Sequence, residues 1–319
     1  MDTEPVDPRN QSVPRVSREG RLVRKGDAQQ YDAEPHVGDP DQGVLPRVTL
    51  LWMTPDPLGA VAALSAIYSG RVVRGLEEVS DDDRMQAFID VQKTHLKAPL
   101  EAVKLHFLFE GVDRAFTHQH VRQRTAVYAQ ESMRFAVLGD LLDATTLPPS
   151  LAGTRRSEKG DLDGRSEAQR MRNLWDDTIR TVDAAYHRLV DSGMPSEEAR
   201  GLLPHCTATR IHYVTDLRNL SDHSGNRLCT QAQFHWRVVF AGVVAAIKAA
   251  ALRDAPRHAW QYGMIAESEL FRPVCYQLKY CPFQASFDRA CTIRERVGLG
   301  LFSEINPAEW LADPGAARV

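Results

Sequence analysis

Apolar and β-branched residues run almost unbroken over 44–53 (VLPRVTLLWM), which predicts a strand. Thr54-Pro-Asp-Pro breaks it, and Thr54 or Asp56 can cap the helix expected from LGAVAALSAIYSG, which should stop near Gly70. A second helix is expected over 81–95, with Met85, Phe88, Ile89 and Val91 on its apolar face. Residues 99–110 start as a turn and continue as a strand, because Val103, Leu105, Phe107 and Phe109 alternate with more polar neighbours. Residues 112–122 read as helix by period, and 135–138 as a strand.

The second half of the chain is more helical. Residues 147–165 carry Pro-Pro, Gly and mixed charges and read as a loop. Residues 166–192 form a long amphipathic pattern, with Met171, Leu174, Trp175, Ile179, Val182, Ala185, Tyr186 and Leu189 as its stripe. Gly193 should end that helix and Pro195-Ser-Glu-Glu start the next. A short strand is expected after Pro204, then helices over about 215–252. No internal repeat is visible. The sum is an α+β protein with a small mixed sheet and long flanking helices. Its expected organisation is a flexible tail over 1–43, a folded domain over 44–253 and an extension over 254–319.

Composition adds limits. The 319 residues suffice for an ample core, and 43% hydrophobic with 25% charged is ordinary for a globular chain. The polar N-terminus has no apolar signal core, and the apolar stretch at 238–252 is short for a bilayer and carries Lys248. A cytoplasmic protein with no membrane partner is the expectation. Five cysteines lack metal-site spacing and read as thiols in a reducing compartment. The histidines are scattered, so no metal is expected. Trp175, Trp236 and Trp260 lie on apolar stripes and read as core.

The candidate chemistry sits in 119–135, where Arg122, Arg124 and Arg134 interleave with Gln130, Ser132 and aromatic residues. Guanidinium groups suit phosphate because their planar fork gives paired, charge-assisted hydrogen bonds. A phosphate site and a solvated basic helix face both fit this spacing. A helical protein that binds nucleic acid would use the same arginines and is the alternative class.

The segment resembles the signature of the flavin-dependent thymidylate synthases (the ThyX family). That signature runs Arg-His-Arg, two variable residues, Ser, a variable residue, Asn-Glu, a variable residue, Ser, a variable residue, Arg-Tyr. Here Arg122-Gln123-Arg124, Ser132 and Arg134-Phe135 keep its register. Downstream, Glu198-Ala199-Arg200 with Pro204, then Thr209, Asp216-Leu217-Arg218-Asn219-Leu220, Arg227 and Ala232-Gln233 follow in the family's order. Upstream, Pro99-Leu100-Glu101 and Glu110-Gly111-Val112-Asp113-Arg114 fit as well. The resemblance covers about 44–253.

The resemblance implies a homotetramer that takes a pyrimidine nucleotide monophosphate and FAD, with no nucleic acid as partner. Methylenetetrahydrofolate would supply the carbon and NADPH the reducing power. It implies that Ser132, Arg134 and Arg200 hold the nucleotide phosphate, with Gln130 beside the nucleotide and Gln119 reaching it from a neighbouring subunit. Arg227 would face the uracil and favour negative charge on its N3 and carbonyls. Arg122, Gln123 and Arg124 would contact flavin or folate, and Glu101, Asp216, Arg218, Asp222 and Gln231 would lie along FAD. The chain departs from the pattern at Gln123, Val127, Ala129, Gln130, Asp216, Asp222 and Gln231. A carboxylate in place of an amide loses a donor. The departures leave room for UMP as well as dUMP, as in a C5-methylase of a nucleoside-antibiotic pathway. They also leave room for a catalytically altered relative that binds the nucleotide alone.

Overall fold

The computed structural model describes residues 43–134, 136–153, 166–254, 258–278 and 280–283, with two-residue strands at 15–16, 22–23, 31–32 and 38–39. The rest of the expected tail and C-terminal extension, Phe135, most of the loop at 147–165 and Cys291 lie outside the described residues.

Four strands form the main sheet: β1 (Arg47–Met53), β2 (Lys104–Asp113), β3 (Val127–Gln130) and β4 (Ala208–Asp216). Their order is β1-β2-β4-β3 and every pairing is antiparallel. Parallel pairing among the described residues is confined to a separate ladder, Tyr31–Asp32 beside Ala136–Val137. Alternation decides which face is buried. Leu105, Phe107 and Phe109 of β2 and Ile211 and Tyr213 of β4 are all fully buried, each contributing roughly 1.5–3 kcal/mol by leaving water. The intervening His106, Leu108, His212 and Val214 stay half-exposed on the other face.

The helices are α1 (Pro57–Ala66), α2 (Asp81–Lys93), α3 (Arg114–His120), α4 (Glu167–Asp191), α5 (Ser196–Ala199), α6 (Leu217–Arg227), α7 (Phe234–Asp254), α8 (Ala259–Glu267) and α9 (Val274–Leu278). Trp236, Val239, Phe240, Val243 and Ile247 of α7 join the sheet residues in one core. The contact is close: a Cβ on Gly242 would stand 2.9 Å from Val48 Cγ2 of β1. Gly111 is required for a second reason, since its φ is +64° and a Cβ there would meet the Leu45 carbonyl oxygen.

Asp56, rather than Thr54, caps α1 by accepting from the Gly59 N–H at 3.0 Å. The same carboxylate takes Arg84 Nη2 of α2 at 2.7 Å and Gln261 Nε2 of α8 at 2.8 Å, which ties three helices to one buried anion.

Several expectations change. Residues 112–113 belong to β2, because they pair with Thr209 and Ala208 of β4, and Asp113 then caps α3. Val127–Gln130 is a strand that the sequence reading left out, and the strand after Pro204 is nine residues long. In α4, Met171 and Leu174 are 43% and 70% exposed. The fully buried Arg172–Asp176 pair turns inward at that end of the helix instead. The expectation that no apolar run approaches a bilayer's length also fails. Phe234–Ala251 is long and apolar enough by length and composition, since the helix continues through its few polar residues. It is the helix that covers the sheet.

Candidate active site

Helix α3 organises the site. Asp113 starts it by accepting from the Phe116 N–H at 2.6 Å, and is itself held by His235 Nδ1 at 3.0 Å and Thr146 Oγ1 at 3.2 Å. Burial raises the Asp113 pKa, but the His235, Phe116 and Thr146 contacts outweigh it and leave the carboxyl below its ordinary value. Seven residues span about 10 Å, and cationic groups gather at both ends of this helix.

At the N-terminal end, Arg134 Nη2 pairs with Glu197 Oε2 at 2.8 Å, and Arg200 Nε donates to the Glu197 carbonyl at 3.0 Å. Ser132 Oγ accepts from the Arg134 N–H at 3.3 Å, and Ser196 Oγ donates to the Arg134 carbonyl at 2.7 Å. The short helix α5 thus brings Arg200 and Ser196 to the loop that carries Ser132 and Arg134. Arg114 belongs to the same cluster, a residue the sequence reading did not place in the site. Burial and the nearby Arg200 charge lower its guanidinium pKa, against the pull of Glu131. Gln130 Nε2 donates to Thr117 Oγ1 at 2.9 Å and so abuts α3 midway.

At the C-terminal end, the Arg227 guanidinium lies 4.0 Å over the Trp236 ring, and its Nε donates to His223 Nε2 at 3.1 Å. Trp236 Nε1 donates to Gln119 Oε1 at 3.0 Å. His120 is fully buried and stacks on His223 with ring centroids 5.6 Å apart. Burial, and then the Arg227 charge, lower the His223 pKa to about 3, while burial holds His120 well below its usual value. Both rings are therefore neutral near pH 7. Trp236 is core, as its stripe suggested, and also a platform for a cation.

A third group surrounds the first turn of α6. Asp216 caps that helix through the Asn219 N–H at 3.0 Å and pairs with Lys104 at 3.3 Å. Arg218 pairs with Glu101. Asp222 feels burial first, which raises its pKa against the charges of Lys97 and Arg218. Gln123 Oε1 accepts from the Tyr213 hydroxyl at 2.9 Å, and its Nε2 donates to the Asn219 carbonyl at 3.4 Å. Arg122 and Arg124 flank it, exposed, and Gln231 is half-buried in the loop after α6.

Within one chain, then, Arg134 and Arg200 converge on Glu197, while Arg227 stands apart at the far end of α3. Among the described residues no three potential metal ligands cluster, and Cys206 and Cys281 are free thiols. Burial pushes the Cys206 thiol up to about 11, so it is not a ready nucleophile.

The family model described as thymidylate synthase complementing protein (Thy1) matches residues 49–251. The chain is a member of the Thy1 family. Curated relatives of this Thy1 protein include the flavin-dependent thymidylate synthase of Nitratidesulfovibrio vulgaris, 31% identical over 248 residues, covering 74% of this chain and 91% of that one. The flavin-dependent thymidylate synthase of Geobacter sulfurreducens is 29% identical over 214 residues, covering 66% and 86%. Among solved structures, the UMP/dUMP methylase PolB from Streptomyces cacaoi bound with 5-Br dUMP superposes with a TM-score of 0.52 at 19% identity, covering 69% and 95%. That likeness establishes a shared fold.

Proposed function

We propose that this Thy1 protein methylates C5 of a uridine monophosphate, dUMP or UMP, using FAD, NADPH and methylenetetrahydrofolate. The observation that carries the reading is the pair of cationic sites held at opposite ends of α3, a helix about 10 Å long, in a chain of this family. A nucleoside monophosphate has an anionic end and a polar base separated by a comparable span.

On this reading, Arg134, Arg200 and Ser132 bind the phosphate, and substrate displaces Glu197 from Arg134. Gln130 orients the nucleotide from β3, and Gln119 does so beside Trp236. Arg227 binds the uracil, its charge favouring electron density on the carbonyls and hence attack from C5. The chemical groups around α6 fit a dinucleotide. Arg218, Lys104 and the exposed Arg122 and Arg124 offer cations to a pyrophosphate, and Gln123 offers an amide. Glu101, Asp216, Asp222 and Gln231 supply acceptors and an amide for ribose and ring atoms. FAD supplies hydride chemistry when bound. No cysteine nucleophile enters the scheme.

The protein assembles as a homotetramer on this reading. Exposed apolar side chains on this chain, such as Leu174, Val127 and Trp52, support burial against further copies. The enzyme would act on free nucleotides in the cytoplasm. Incubating purified protein with FAD, NADPH, methylenetetrahydrofolate and each nucleotide should give a methylated product from at least one. A colourless protein that yields neither product overturns the reading.

A further inference from the structure

The contact between His223 and Arg227 assigns a role that the family motif does not contain. The two residues lie four apart on α6, so they share one helix face. Arg227 is half-buried and its guanidinium pKa is lowered by that burial, so the cation is held at a cost. It has two neighbours that fix it. The Trp236 ring supports its face at 4.0 Å, which sets a height but leaves rotation in the plane free. His223 Nε2 accepts from Nε at 3.1 Å, which removes that rotation. Among the described residues, Nε is the one Arg227 side-chain nitrogen with a hydrogen-bond acceptor, so the Nη pair is left for a ligand.

The imidazole is suited to this task only while Nε2 carries no proton. Its surroundings enforce that state. The ring stacks on His120, which is fully buried with both nitrogens unpaired, and it packs against Trp236 at 5.3 Å and Phe240 at 5.0 Å. A second positive charge there would face Arg227 without solvent to screen it. We propose that His223 is a positioning residue: it orients the Arg227 guanidinium so that both Nη groups meet the two carbonyl edges of a uracil ring. This rests on the reading of Arg227 as the uracil-binding cation.

The assignment is tested with the full-length holoenzyme and four variants: H223F, H223Q, R227A and H223F/R227A. Phe keeps the ring and its packing but has no acceptor, whereas Gln restores one. H223F should lower kcat/KM by about tenfold or more, mostly in kcat, with flavin absorbance and Tm close to the parent. H223Q should recover most of the loss. In the R227A background, H223F should add little, because the residue acts through Arg227. Loss of activity in R227A with none in H223F would overturn the positioning role and leave the uracil assignment standing. An equal H223F loss with and without Arg227, or no rescue by Gln, would also overturn it. Unchanged rates in R227A would remove the uracil assignment, and this role with it.

Discussion

Arg134 and Glu197, sixty-three positions apart, form a bifurcated ion pair in which one carboxylate oxygen accepts from both Nε at 3.2 Å and Nη2 at 2.8 Å. On the proposed reading, the carboxylate occupies the fork that the nucleotide phosphate would take. Both side chains are about half exposed, so the pair is worth only ~0.2–1 kcal/mol. Replacing Glu197 by Gln should therefore lower KM for the nucleotide by up to about fivefold, with kcat little changed. Steady-state kinetics at fixed cofactor concentrations would show it. A raised KM would mean that Glu197 helps to hold the site rather than competing for it.

Removing Arg134 itself should act the other way. Arg134→Ala loses charge-assisted hydrogen bonds of about 1.5–3 kcal/mol, a rise in KM of about tenfold to a hundredfold. The corresponding unphosphorylated nucleoside should bind equally to parent and variant in calorimetric titrations.

Arg227→Ala should reduce kcat/KM by about a hundredfold or more, the usual scale for a lost preorganised charge. Inorganic phosphate should still compete for the nucleotide site in that variant, since Arg134 and Arg200 are intact.

Acid should weaken the fold through His223 and His120. An unfolded imidazole takes a proton near pH 6.5, whereas folded His223 resists until about pH 3. The unfolded state thus binds more protons in that window, and stability falls as the pH drops below 6.5. At pH 5 one such group costs about 2 kcal/mol, and His120 shifts in the same direction. Urea midpoints at several pH values should show the slope, and H223F should flatten it.

Much of this was legible in the chain, for identifiable reasons. Val103, Leu105, Phe107 and Phe109 announce β2 because one face of the strand is sealed by α7 and the other is not. The arginine motif was legible because Arg122, Arg124, Ser132 and Arg134 fall within one short segment. What escaped depends on long-range partners. Val127–Gln130 is too short to show a period, and it becomes a strand through pairing with residues 211–214. Arg114 reads as a helix-start residue until α5 delivers Arg200 beside it. The inward Arg172–Asp176 pair overrode the apolar stripe of α4, leaving Leu174 outside. His223 carried one usable signal, its spacing of four from Arg227, but nothing local revealed that the indole of Trp236 packs against both.

Gly242 touches no functional group, yet it governs one. Only a hydrogen atom fits between α7 and Val48 at that position. A methyl group there would have to displace either the Val48 side chain or the helix. Where the helix gives, Trp236, six residues earlier on the same rod, moves with it and carries the Arg227 cation away from the opposite end of α3. On the proposed reading, the reach between the two ends of the nucleotide site is thus calibrated by the absence of a methyl group.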